Sequence, residues 1–195
     1  LKGGAKSISG SMVWGGVLTL FVILLFNAVI NPGFFNLAIK NGNLYGSLVD
    51  VFKRAAPIML MAIGMTLTIS TKGIDISVGS VAAVSGAVAA MLIAKAGAPL
   101  WLVIVAPVLV AMLIGAWNGL LISVVGIQPI IVTLVMLGVG RGAAQLITDG
   151  QIINFQNKPF QMIGSGYFLG LPVSLWMVAV TLVVAGLLLR RTAMG

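Results

Sequence analysis

The only acids among the 195 residues are Asp50, Asp75 and Asp149, and there is no histidine, cysteine or glutamate. That inventory excludes thiolate nucleophiles, disulfides, imidazole bases and the usual zinc or haem ligands together. Three carboxylates so far apart in sequence supply no two-metal cage from neighbouring ligands, and paired-carboxylate hydrolysis would depend on the fold assembling it. No G-x-x-x-x-G-K-[ST] stretch occurs, so the chain does not bind and hydrolyse ATP through a P-loop. Gly138, Gly140 and Ala143 match G-x-G-x-x-A, but without a preceding strand and βαβ unit that pattern has no meaning as a dinucleotide fingerprint. No cofactor is expected. Passage of a solute across a membrane is a better destination than catalysis.

Polar residues inside apolar runs then become the informative ones, because each must find a partner or water. They are Thr66, Thr68, Ser85, Asn118, Ser123, Thr133, Arg141 and Gln145. Serine and threonine can bond back to their own helix carbonyls. Asn118 reads as glue between helices or as part of a pathway. Arg141 and Gln145 lie four apart on one helix face, and Arg141 must pair with one of three acids or snorkel to the interface. Asp75 lies in TKGIDISVGS, residues 71–80, where Gly73 and Gly79 permit unusual backbone turns and Lys72 and Ser77 offer a charge partner and a hydroxyl. Either Asp75 caps the following helix, or it holds one of two arrangements of a broken-helix element during alternating access.

The elements that must position these groups follow from composition. With 60% hydrophobic and 7% charged residues, the chain carries 14 charges, where a soluble domain of this length would carry about 49. It reads as an all-α, polytopic integral membrane protein of about six transmembrane helices, one permease domain over residues 1–195. The expected spans are residues 12–30, 55–70, 81–94, 100–125, 130–147 and 172–189. The first exceeds a signal-peptide h-region of about 7 to 15 residues and no small-x-small cleavage site follows it. Residues 34–54 suit an interfacial amphipathic helix from Leu44 onward. Spans 2 and 3 are short, and Pro57 fits the first turn of span 2. Around residues 55–94 they form a short or broken helix pair, a discontinuous or re-entrant element, with an ordinary surface turn as the plainer alternative. Pro107 marks a kink in span 4, and residues 148–171 form the largest extramembrane segment, with room for a surface helix. Gly79, Gly86, Gly115, Gly119, Gly138 and Gly142 sit in small-x-x-x-small rows that let helices approach closely. The net charge of +8 is spread singly or in pairs at the ends of apolar runs, which fits lipid headgroups and not nucleic acid. Both termini are expected in the cytoplasm, and the chain is expected to be the N-terminal portion of a longer protein.

Residues 56–86, APIMLMAIGMTLTISTKGIDISVGSVAAVSG, resemble the signature region of permease subunits in the ribose and other monosaccharide ATP-binding-cassette (ABC) importers. In that family a G-M-T-x-x-I helix leads into G-I-D-[LI]-S-V-G, matched here by Gly64, Met65, Thr66 and Ile69, then Gly73, Ile74, Asp75, Ile76, Ser77, Val78 and Gly79. Asn118 with Gly119, IQPIIVT at 127–133 with Gln128 and Thr133, the Arg141–Gly142 pair, residues 148–150 and the terminal RTAMG follow in order. Lys72 departs from the small residue more usual before G-I-D. YGSLVDVFKRAAP and RGAAQLITDGQIINF are most similar to the galactofuranose-importing branch. The resemblance implies a non-catalytic permease in the bacterial inner membrane. Its implied partners are a second permease subunit, ABC ATPase subunits and a periplasmic sugar-binding protein in which most sugar selectivity lies. It makes Thr66, Asp75, Ser77, Asn118, Gln128, Thr133, Arg141 and Gln145 the pathway or gating candidates. The alternative, a secondary transporter or channel, would be expected to carry a mid-span acid or charge relay, and only Asp75 comes near that. The purified chain is expected to show no nucleotide turnover; turnover in a contaminant-free preparation would overturn the reading.

Overall fold

The computed structural model describes residues 5–31, 33–40, 42–71 and 73–191, with side chains from residue 14 onward. Lys72 and residues 192–195 of RTAMG lie outside the described residues. The elements are α1 (Ala5–Ile30), β1 (Ala38–Lys40), β2 (Asn43–Tyr45), α2 (Ser47–Ser70), α3 (Val78–Ala94), α4 (Leu100–Ser123), α5 (Pro129–Ile147), α6 (Lys158–Ser165), β3 (Tyr167–Phe168), β4 (Leu171–Pro172) and α7 (Val173–Arg191). By length and composition α4, α5 and α7 are each sufficient to cross a bilayer, while Trp14–Ile30 and Val78–Ala94 are shorter apolar helices.

The main departure from the sequence reading is α2. The interfacial segment and the short second span are one 24-residue helix, and Pro57 lies in its interior instead of at its first turn. Proline has no N–H to give the carbonyl of Lys53, yet the helix runs on. Asp50, Lys53 and Arg54 are spaced at helical intervals, and no glycine or second proline interrupts the helix before Gly64. Helix α3 begins three residues earlier than expected, at Val78. Strands β1 and β2 pair antiparallel, with Ala38 opposite Tyr45 and Lys40 opposite Asn43, so Leu44 and Tyr45 lie in a strand and the helix expected from Leu44 begins only at Ser47. Gly42 turns its chain at φ 76°. The surface helix anticipated in 148–171 is α6, whose first turn is capped by Asn157 Oδ1 accepting from the Phe160 amide at 3.1 Å.

Two packing groups result. Helix α3 lies against both α5 and α4, whereas α2 lies against α7 with α6 beside it. The buried apolar side chains are small: Val84, Ala87 and Ala89 on α3, Val103 on α4, Val132 on α5, Ala56 on α2 and Ala185 on α7. Large side chains such as Leu113, Leu134 and Leu182 face outward. That inversion is what a bundle in lipid requires, since lipid tails solvate leucine and close helix approach supplies the packing. An ion pair joins Lys95, after α3, to Asp149, after α5, at 3.3 Å, with both side chains mostly exposed; its stability contribution is about 0–1 kcal/mol.

The glycines divide sharply. A Cβ added at Gly79, Gly86, Gly115, Gly119, Gly138 or Gly142 meets nothing within 4 Å, whereas one at Gly140 would stand 2.7 Å from Ser80 Oγ and 2.9 Å from its Cβ. Gly140 is therefore where α3 and α5 come closest through a missing side chain. Replacing Gly140 by alanine is expected to lower the unfolding stability of the detergent-solubilised protein by about 1–3 kcal/mol. Gly138→Ala, two residues away with open space, should leave it within about 0.5 kcal/mol. Equal melting temperatures for the two variants would contradict the assigned contact.

Candidate functional site

The connector between α2 and α3 is short, polar and held on three sides. Helix α2 ends where Thr68's carbonyl accepts the amides of Thr71 and Gly73 at 3.2 and 3.1 Å. Thr71's hydroxyl also reaches it, at 2.7 Å. Two residues later Asp75 Oδ1 accepts both the Ser77 amide, at 2.8 Å, and the Ser77 hydroxyl, at 2.6 Å. The second distance is that of a charge-assisted O–H···O⁻ bond. Asp75 thus closes the turn into α3, and Ser77 becomes the residue around which the site is built.

Ser77 is fully buried. With its single proton committed to Asp75, its oxygen can only accept, and it accepts from Asn118 Nδ2 of α4 at 3.1 Å. This fixes which way the amide points, because an oxygen in that place would face another acceptor. Asn118 Oδ1 is buried with no hydrogen-bond partner among the described residues. On the α5 side Thr133's hydroxyl lies 2.9 Å from Pro129's carbonyl and 3.3 Å from that of Ile74. Ser80's hydroxyl lies 2.8 Å from Ser77's carbonyl and 3.3 Å from that of Met136. One proton each means that the shorter, intrahelical bonds carry most of the energy. The longer contacts show how closely the connector and α5 approach. Asp75 itself is half-buried, while Ser77, Ser80, Asn118 and Thr133 are buried.

Of the eight pathway candidates, four converge here: Asp75, Ser77, Asn118 and Thr133. The others lie elsewhere. Thr66 is exposed, bonds back to Ala62's carbonyl at 2.9 Å, and lines a cavity of about 260 Å³ between α2 and α7. Gln128 is exposed at the start of α5. Arg141 and Gln145 lie on the exposed side of α5, and Arg141 makes no ion pair among the described residues. Gln145 lines a shallow cavity of about 290 Å³ with small residues of α3, among them Gly86 and Ala90. Sequence reasoning passed over Ser80 and Gly140 as site residues. Their signal was a serine closing the connector and a glycine on the helix it must meet, which only the fold sets opposite each other.

No cluster of three metal-ligating side chains occurs among the described residues. The arrangement is a hydrogen-bonded polar joint between apolar helices, with Ser77 buried inside it. Ser77→Ala removes a donor to Asp75 and the one partner of Asn118's amide, and is expected to cost about 1–3 kcal/mol of stability. Ser77→Thr, which keeps the hydroxyl, should recover part of it. An unchanged unfolding midpoint for Ser77→Ala would show that the chain of bonds is not maintained.

Comparison with known proteins supplies the context. Residues 47–195 match the family described as branched-chain amino acid transport system / permease component. The chain is 42% identical over 179 residues to the galactofuranose transporter permease protein YtfT of Escherichia coli K12, covering 92% of this chain and 52% of that protein. It is 37% identical to the fructose import permease protein FruF of Bifidobacterium longum, over 97% of this chain and 54% of the relative. It is 32% identical to the ribose import permease protein RbsC of Haemophilus influenzae, over 91% of this chain and 54% of the relative. The chain therefore spans about half the length of the curated relatives it matches. No solved structure matches.

Proposed function

The chain belongs to the branched-chain amino acid transport system / permease component family, and from that premise we propose that it is part of the membrane-spanning permease of an ATP-driven importer of a monosaccharide. The relatives named for galactofuranose, fructose and ribose import support a sugar substrate over an amino acid. A chain with no P-loop and an apolar bundle takes its work from elsewhere. The proposed partners are an ABC ATPase on the cytoplasmic side, a periplasmic sugar-binding protein and a second permease subunit. The proposed setting is multi-pass in the bacterial inner membrane, with both ends and Gly126 in the cytoplasm and residues 148–171 in the periplasm.

The observation that carries the mechanism is the bonded series Asn118–Ser77–Asp75 between α4 and the start of α3. A passage that opens alternately to two sides needs an element with two discrete arrangements. The connector qualifies, being non-helical between two helices and held by hydrogen bonds instead of by continuous apolar packing. Asn118's unpartnered Oδ1 supports the reading, because an orphaned buried acceptor costs about 1–3 kcal/mol. A displacement of the connector that gave it a donor would offset part of that cost. Asp75's charge strengthens the arrangement observed, since a bond to a charged acceptor is roughly twice as strong as a neutral one.

Asp75→Asn retains an oxygen in place of Oδ1 and so keeps the turn, but removes the charge. Normal membrane insertion and normal assembly with the ATPase are expected, with sugar uptake down roughly tenfold, the effect of about 1.4 kcal/mol. Full uptake by assembled Asp75→Asn complex would end the mechanistic role of the charge. The topology has its own test, because the sequence lacks cysteine. Single cysteines at Gly150 and Arg190 should label from opposite sides of the membrane with an impermeant reagent, and labelling from one side would refute the arrangement of spans.

A further inference from the structure

Away from the connector, two adjoining cavities open between α2, α6 and α7. One, about 300 Å³, is lined by Asp50, Lys53 and Arg54 of α2 and by Gly164 and Ser165 of α6. The other, about 230 Å³, shares Lys53 and Gly164 with the first. Its wall is otherwise almost wholly apolar, with Pro57 and Leu60 from α2, Phe160 and Ile163 from α6, and Met177 from α7. Cations and an apolar slot thus meet at two shared residues.

Among the described residues the one ion pair is Lys95–Asp149, so neither Lys53 nor Arg54 has a carboxylate within 4.0 Å, and Asp50 is a single anion beside two cations. Lys53 Nζ lies 5.5 Å above the ring of Tyr167, which contacts Tyr45 with ring centroids 4.8 Å apart. Burial pushes the Tyr167 phenol above its ordinary value, with Tyr45 and Asp50 adding to the effect. Trp176 Nε1 donates to Phe168's carbonyl at 3.0 Å in the same region. Two tyrosines, a tryptophan and two basic residues around a short amphipathic helix form the belt found where a bundle meets headgroups. In the apolar slot Ser174, nine-tenths buried, lines the wall, and its hydroxyl has no partner among the described residues.

From this juxtaposition we infer that the α2–α6–α7 cavities bind one anionic phospholipid, its phosphate at Lys53 and Arg54 and an acyl chain in the slot beneath α6. A monosaccharide does not fit this description, because the slot presents a single hydroxyl where a sugar needs many partners. An acidic protein surface would satisfy the cations but leave the apolar chamber empty. An amphiphile with a negative head satisfies both halves, and each interfacial cation strengthens its attachment. The ester and hydroxyl groups of such a lipid also supply a partner for Ser174.

The test uses the full-length permease, purified and delipidated in detergent. It is titrated with phosphatidylglycerol, with phosphatidylethanolamine or with inorganic phosphate, and retention is read by native mass spectrometry. One phosphatidylglycerol per permease is expected. The zwitterionic lipid should bind roughly tenfold more weakly, and phosphate should not displace the lipid at equal concentration. Lys53→Gln with Arg54→Gln should weaken phosphatidylglycerol roughly thirtyfold, as two interfacial cations predict. Gly164→Leu keeps both cations but puts a side chain into the shared opening, where a Cβ meets nothing within 4 Å; it should also weaken the lipid. Equal retention of the two lipids by the wild-type protein overturns the proposal without reference to any variant. So does unchanged phosphatidylglycerol retention in both variants, and so does displacement by phosphate alone, which would mean an ion site. Because the readout is lipid bound and not sugar moved, its failure leaves the transport reading untouched.

Discussion

Ser77 must donate and accept at once, and the described arrangement of α3, α4 and the connector depends on it. Its proton goes to Asp75 at 2.6 Å and its lone pair takes the amide of Asn118 at 3.1 Å. A bundle in lipid has no water to repair a broken polar contact, so a connector that leaves helical geometry must satisfy its groups within the protein. Asp75 closes the turn, Ser77 starts α3 and Asn118 ties that start to α4. The backbone carbonyls of Ile74 and Met136 mark where α5 closes the third side.

From that point outward the packing is carried by smallness. Helix α3 can lie against both α4 and α5 because its buried positions are alanine, serine and valine, and because Gly140 leaves room for Ser80. The larger apolar side chains, having no place inside, cover the outside, which is the arrangement lipid favours. The second group, α2 with α7 and α6, has a different character. Lys53, Arg54, Tyr45, Tyr167 and Trp176 cluster near the start of α7, and Arg190 and Arg191 stand at its other end, the placement of residues that flank an apolar span. A hydrogen-bonded polar joint and a cluster of cations and aromatic rings thus lie in different packing groups of a chain that belongs to a permease family.

Much of this was legible in the residues, and what was not has physical reasons. The apolar runs reported the membrane-length helices α4, α5 and α7 because hydropathy over a score of residues is a strong signal. Individually, Asp75, Ser77, Asn118 and Thr133 stood out as polar groups in apolar surroundings. Their convergence was not legible, since Ser77 and Asn118 are 41 positions apart and periodicity on one helix says nothing of which helix faces it. Arg141 and Gln145 show the converse: they share a helix face, but both are exposed, and Gln145 borders Gly86 and Ala90 farther along α3 instead of its polar start. Pro57 misled for a local reason. Its preference for first turns is statistical, and here the helix-compatible charges before it extend α2 backward. Ser80 and Gly140 were invisible because neither departs from what any small-residue helix contains.

Asp75, Ser77 and Asn118 act as one unit, although the first and last are joined only through the hydroxyl between them. The most direct measurement is a double-mutant cycle on unfolding stability with Asp75→Ala, Asn118→Ala and the pair combined, in one detergent and at one pH. Losing either end changes what Ser77's oxygen can do for the other, so the effects should fail to add by about 0.5–3 kcal/mol. Additivity within about 0.3–0.5 kcal/mol, the behaviour of independent sites, would contradict the claim that these three residues form a single joint.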